Sequence, residues 1–186
     1  MNCVLMIRHG ATAGNLERRY IGRTDEPLCP LGVEQIEHLR QAGLKADVLF
    51  ASPMLRTRQT ARLLFPGMDC ATVEGLRETD FGIFEGKTAE ELSGTPAYQT
   101  WVDALCKTPI PGGESVEVFK ARCCKAFRQT MTEVPEGAAA AFVVHGGVIM
   151  AILEACARPK RDFYDYHIGN GAYLACTWED GVLTVE

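Results

Sequence analysis

The sequence predicts an α/β fold, a three-layer α/β/α sandwich around a mostly parallel central sheet, in one domain over residues 1–186. Three observations point there. Short apolar runs alternate with segments of helical period along the chain. Two of those runs, Asn2 to Ile7 and Ala140 to Val144, are almost wholly apolar, as strands covered on both faces must be. Each runs straight into a histidine and glycine, at Arg8-His9-Gly10 and at His145-Gly146-Gly147. Positions just beyond the carboxyl ends of parallel strands are where such sheets hold ligands.

The remaining elements follow in order. A polar loop is expected from His9 to Pro30, then a helix from about Leu31 to Gln41 with Val33, Ile36 and Leu39 or Arg40 inward. Asp47 to Ala51 reads as a second strand. Ser52-Pro53 opens a helix over about Met54 to Leu64, with proline in its first turn and Pro66 past its end. Thr88-Ala89-Glu90-Glu91 is a capping box and starts a short helix. Another helix is expected over Ala97 to Leu105 and a loop at Pro109 to Gly113. Ser115 then caps a long helix to about Thr132, with Val116, Phe119, Cys123, Phe127 and Thr130 or Met131 at helical spacing. A helix follows Gly147 to about Cys156. Asn170-Gly171 turns into a strand over Ala172 to Trp178, and Asp180-Gly181 turns into the last strand.

Composition narrows the function. With 186 residues, a net charge of −5 and a pI near 5.4, the chain does not read as a nucleic-acid binder. Cations nevertheless cluster locally, at Arg8, Arg18, Arg19 and Arg23 and again at Arg56, Arg58 and Arg62, enough for one anion pocket. Eight cysteines without a C-x-x-C pair read as reduced thiols of a cytoplasmic protein rather than a disulfide or zinc framework. No signal peptide and no membrane-spanning run is expected.

A phosphate monoester is cleaved by a nucleophile in line with the leaving oxygen, fixed positive charge on the phosphoryl oxygens, and an acid for the leaving group. A neutral imidazole can be that nucleophile, and His9 stands beside Arg8 and Gly10. Taken alone, the tripeptide reads more readily as a turn with a salt bridge. Asn15 and the backbone of Gly22 can donate to phosphate oxygens from the loop behind it. Arg56, at the start of a helix, can make a bidentate phosphate contact. Glu78 lies in a segment rich in both acids and apolar residues, where a carboxyl can be kept protonated. The two glycines after His145 read as clearing space for a ligand.

Together these motifs resemble the histidine phosphatase, or phosphoglycerate-mutase-like, superfamily, in its short phosphatase branch. The likeness is carried by Leu5 to Thr12, Gly22 to Leu28, Ser52 to Ala61, Glu78 to Gly86, Pro111 to Ser115, Val143 to Gly147 and Asn170 to Tyr173. The resemblance implies that His9 accepts the phosphoryl group and Glu78 protonates the leaving oxygen. It implies that Arg8, Arg56 and His145 bind phosphate, with Asn15, Gly22, Arg23 and Gly146 assisting. A water then attacks the phosphohistidine. It implies no metal and no cofactor, and a small-molecule phosphate ester as partner, with α-ribazole 5′-phosphate the nearest match. A mutase that returns the phosphoryl group, or a silent phospholigand-binding protein, are the alternatives. Ala11 replaces the glutamate that commonly follows the R-H-G motif, which bears on substrate preference. Cys29 stands where a Ser or Thr usually caps the first long helix, and the role of Glu85 is open.

Rival motifs fail. Gly82 to Thr88 is one residue short of a P-loop, and no apolar strand precedes it. No cysteine is followed by arginine after five intervening residues, as a thiol phosphatase requires, and no G-x-S-x-G elbow occurs.

Overall fold

The computed structural model describes residues 1–186. Its elements are β1 (Asn2–Arg8), α1 (Ala13–Leu16), α2 (Pro30–Arg40), β2 (Val48–Ala51), α3 (Leu55–Leu64), β3 (Cys70–Thr72), α4 (Ala89–Leu92), α5 (Pro96–Asp103), α6 (Val116–Met131), β4 (Ala139–Val144), α7 (Gly146–Cys156), β5 (Ala157–Arg158), β6 (Tyr173–Glu179) and β7 (Val182–Val185). Short 3-10 turns lie at Glu74–Leu76, Gly82–Phe84 and Phe163–Tyr166.

The strands form one seven-stranded sheet in the order β3-β2-β4-β1-β6-β7-β5. Its left half, β3-β2-β4-β1, is parallel throughout; β6 alone runs antiparallel to both its neighbours, β1 and β7, and β7 and β5 pair in parallel at the far edge. The expected mostly parallel sheet is therefore present. Alternate residues of β1 face opposite layers, because strand side chains alternate. Val4 and Met6 join Phe142 and Val144 against α6 and α7, whereas Leu5 and Ile7 join Ala141 and Val143 against α2 and α3. Phe142 stacks on Phe50 and meets Phe127 of α6, which fills the centre of the first layer. A smaller cluster of Phe84, Leu92 and Ile110, backed by Tyr20, Tyr98 and Trp101, holds the segment between β3 and α6.

Some expectations need correction. The loop expected to run to Pro30 contains α1, whose Thr12 cap forms a reciprocal box with Asn15; the turn is too short for periodicity to show. Pro53 lies outside α3, because Met54 is the N-cap. β3 and β5, three and two residues long, escape any pattern, so His145 follows the fourth strand and not the third. α5 ends at Asp103 rather than Leu105, where the chain turns left-handed at Leu105 and Cys106. Val33, Val116 and Arg40 are not buried, whereas Ile36, Leu39, Phe119, Cys123 and Phe127 are. The capping box of Thr88 and Glu91 and the Ser115 cap form as expected. No helix is long and apolar enough to cross a membrane.

Candidate active site

β1 and β4 are neighbours in register, so the residues that follow them meet at one edge of the sheet. The ladder continues one step further, with the His9 N–H donating to Val144 O at 3.1 Å. From the other side, Gly171 N and Asn170 Nδ2 donate to His9 O at 3.0 and 3.2 Å. The His9 backbone is thus fixed by two strands and a turn. Its ring lies 5.2 Å from that of His145, centroid to centroid, in an edge-on arrangement.

The tautomer of His9 follows from one contact. Nδ1 is 2.7 Å from Gly10 O, and a carbonyl only accepts, so Nδ1 carries the proton and the lone pair is on Nε2. Burial first and then Arg56 push the imidazole down to about 3; the Gly10 carbonyl opposes them, and Arg8 adds the smallest contribution. His9 is neutral at any ordinary pH, with Nε2 available as a nucleophile. His145 is also neutral, held well below the usual range by burial first and then by Arg56. Its Nε2 is 2.8 Å from the buried Ser52 hydroxyl, while Nδ1 is buried with no protein partner. If the hydroxyl donates, Nδ1 carries the proton and is the donor available to an anion.

The two arginines are held by carbonyls and not by acids. Arg56, 1% exposed, donates from Nη1 to Thr24 O and from Nη2 to Gly22 O. Arg8 donates from Nη1 to Ile168 O, and its Nε is buried without a partner. Burial lowers both, yet a guanidinium stays cationic throughout the working range. Glu78 accepts from Thr79 N at 3.0 Å and from Gly147 N at 3.2 Å. Burial raises its carboxyl pKa in spite of these two N–H groups and the nearby Arg56 and Arg8. A phosphate dianion arriving among these groups would raise it further, since like charge favours the neutral acid.

The two glycines after His145 also leave room for protein groups. A Cβ on Gly146 would come within 3.2 Å of the Arg8 guanidinium carbon, and one on Gly147 within 2.5 Å of Glu78 Oε1. Gly146 N is the first N–H of α7, a position without an intrahelical partner and near the positive end of the helix.

Gly22 departs from expectation. Its N–H donates to Glu85 Oε1 at 2.8 Å and is not free for phosphate. Glu85 also accepts from Thr24 N, so this acid shapes the loop whose carbonyls hold Arg56. Asn15 Oδ1 accepts from Thr12 N and Asn170 Nδ2, which leaves its Nδ2 as the side chain's donor. Arg23 stays exposed, with its guanidinium 3.5 Å from the Asp80 carboxylate. Ser52 and Asn170 have no part in phosphate binding that sequence alone reveals. Both lie inside the segments that carry the family likeness, but only their partners in space show what they contact. No group of three or more His, Cys, Asp or Glu side chains is placed to hold a metal.

Beside Glu78 opens a cavity of about 500 Å³ whose wall includes Thr79 and Gly147. Tyr20, Phe81, Trp101, Ile110, Phe119 and Met150 give it a largely apolar lining. Among its charged residues, Lys120 is paired to Glu154.

Fold and site define a class of protein in which two arginines and two neutral histidines meet at the carboxyl edge of parallel strands. The chain belongs to the histidine phosphatase superfamily (branch 1), whose family model matches residues 4–186. It is 31% identical over 149 residues to a protein named "probable phosphoglycerate mutase" from Enterobacter sp. strain 638, covering 77% of this chain and 69% of that one. Among solved structures, it superposes on an alpha-ribazole phosphatase from Shigella flexneri with a TM-score of 0.89 at 22% identity, over 99% and 94% of the two chains. A phosphoglycerate mutase from Thermus thermophilus gives a TM-score of 0.74 at 32% identity, over 97% and 95%. The first of these likenesses in structure speaks to fold alone.

Proposed function

We propose that the protein is a metal-independent phosphate-monoester hydrolase acting through a phosphohistidine on His9. His9 Nε2 attacks phosphorus, and the bond to the leaving oxygen breaks as the Glu78 carboxyl gives that oxygen its proton. Arg8, Arg56 and the His145 N–H neutralise the phosphoryl oxygens, with Asn15 Nδ2 and Gly146 N assisting. Water then attacks the phosphohistidine, the Glu78 carboxylate takes its proton, and inorganic phosphate and free His9 are restored. The observation that carries this reading is the pairing of a neutral His9, with its lone pair on Nε2, and a buried carboxyl raised toward its acid form.

The leaving group is read from the cavity. Its apolar, aromatic wall suits a neutral alcohol bearing a flat apolar ring, such as α-ribazole, better than the carboxylate of a phosphoglycerate. The mutase reading has its own support in relatives above 30% identity that carry that name. Purified enzyme offered α-ribazole 5′-phosphate and 3-phosphoglycerate separates the two. Release of inorganic phosphate from the former is expected, and isomerisation of the latter without phosphate release would establish the mutase. His9→Ala must abolish both turnover and the acid-labile phosphoenzyme, and activity must survive dialysis against EDTA. A divalent ion that restores lost activity would refute the metal-independent mechanism.

A further inference from the structure

The Pro111-Gly112-Gly113-Glu114-Ser115 motif contributes no atom to the phosphate site as described, yet it is packed tightly on the segment that carries Glu78. Glu114 N donates to Asp80 O at 3.2 Å, and Asp80 N donates back to Glu114 Oε1 at 3.1 Å. Ile83 N donates to Pro111 O at 3.0 Å. The backbones touch: a Cβ on Gly113 would fall 2.3 Å from Asp80 O, and one on Gly82 would fall 2.3 Å from Pro111 O.

Arg122, two turns into α6, completes the contact. Its Nη2 donates to Glu114 Oε1 at 2.6 Å, and its Nη1 donates to Gly75 O at 2.9 Å and Arg77 O at 3.0 Å. A longer contact of 3.4 Å reaches Glu78 O itself. One guanidinium thereby gathers carbonyls on the N-terminal side of Glu78, while its carboxylate partner holds the amide of Asp80 on the C-terminal side. The Glu78 side chain has only two N–H contacts of its own, from Thr79 and Gly147. Its placement therefore depends on the main chain beneath it.

We propose that Arg122 and Glu114 form a positioning clamp that holds the main chain on both sides of Glu78, so that its carboxyl reaches the leaving oxygen. The clamp touches no reacting atom. It rests on the assignment of Glu78 as the acid, and its loss would be felt where proton donation limits the rate. A displacement of about 1 Å in such a group costs on the order of 100-fold.

The test is a double-mutant cycle between Arg122→Met and Glu78→Gln, read on the first, phosphorylating turnover with p-nitrophenyl phosphate and with an alkyl phosphate. Arg122→Met should slow the alkyl ester by about 30-fold or more, slow the nitrophenyl ester by under about 3-fold, and leave KM within about 2-fold. Added to Glu78→Gln, it should cost less than about 2-fold more, because the group it positions is already gone. Arg122→Lys, which keeps a donor for the carbonyls, should recover part of the alkyl rate and guards against a variant that merely misfolds. Equal loss on both esters, or losses that multiply fully in the double variant, would overturn the clamp. The Glu78→Gln single variant tests the acid assignment separately: an equal effect on both esters there would refute that assignment whatever the cycle shows.

Discussion

In the proposed mechanism, Glu78 is the residue whose protonation state decides the rate. Burial holds its carboxyl above the usual carboxylate range, whereas His9 is neutral down to about 3. Loss of rate at acid pH is therefore not expected from the nucleophile, and the basic limb of the profile belongs to Glu78. A sugar or alkyl alkoxide must be protonated as it leaves, while p-nitrophenolate departs largely unaided. The phosphorylation rate with a sugar phosphate should fall as pH rises through the Glu78 pKa, and that with p-nitrophenyl phosphate should stay nearly level. Glu78→Gln should remove the pH dependence along with most of the sugar-phosphate rate. Single-turnover bursts across pH make the comparison, and a parallel fall for both esters would remove Glu78 from the role of acid.

At the scale of the element, α2 shows a weakness that sequence and structure agree on. Its N-cap, Cys29, has extended backbone at φ −82° and ψ 169°, the conformation a capping serine adopts, and makes no side-chain cap bond. Pro30 at the first helical position has no N–H to satisfy, but the N–H groups of the next residues do need a partner. Cys29→Ser supplies an oxygen acceptor there and should raise stability by about 0.5–1 kcal/mol. Urea unfolding of both proteins measures this, and an unchanged or lower midpoint would mean that the thiol packing outweighs the cap. α3 solves the same problem from outside, since Asp25 of the loop before α2 accepts from Leu55 N at 2.5 Å. That bond also ties the loop whose carbonyls hold Arg56 to the helix that carries it.

For the molecule as a whole, burying two neutral histidines has a cost in acid. Unfolded chains protonate histidine below about 6.5. Folded His9 and His145 do not protonate until far lower, so the unfolded state binds more protons in between. Stability must then fall as pH drops from about 6.5, by up to about 1.4 kcal/mol per pH unit for each histidine. Glu78 acts the other way, because its raised pKa makes the folded state the better proton binder until its ordinary value of 4.5 is passed. The histidines outnumber it, and the net change is a loss. Urea midpoints between about pH 7 and about pH 5 should decline in the native protein and decline less in a His9→Asn, His145→Asn double variant. Identical slopes would show that other groups govern the acid transition.

What the sequence determined by itself was local. Unbroken apolar runs gave β1 and β4, helical spacing gave α2 and α6, and the residues at strand ends gave His9 and His145, because each of these is a one-dimensional pattern along the chain. Arg8, Arg56, Glu78 and Asn15 were legible as residues suited to the chemistry, and the structure gathers them. Tertiary structure alone decided the rest. Whether Gly22 N–H is free depends on Glu85, 63 positions away in the chain. Whether His145 presents Nδ1 depends on Ser52, 93 positions away. The two glycines of the His145 motif make room for Arg8 and Glu78, a fact of close approach that no spacing records. β3 and β5 exist only because a neighbouring strand pairs with them. Residue type and period are properties of the chain, whereas hydrogen-bond partners, burial and the pKa values they set belong to contacts between distant segments.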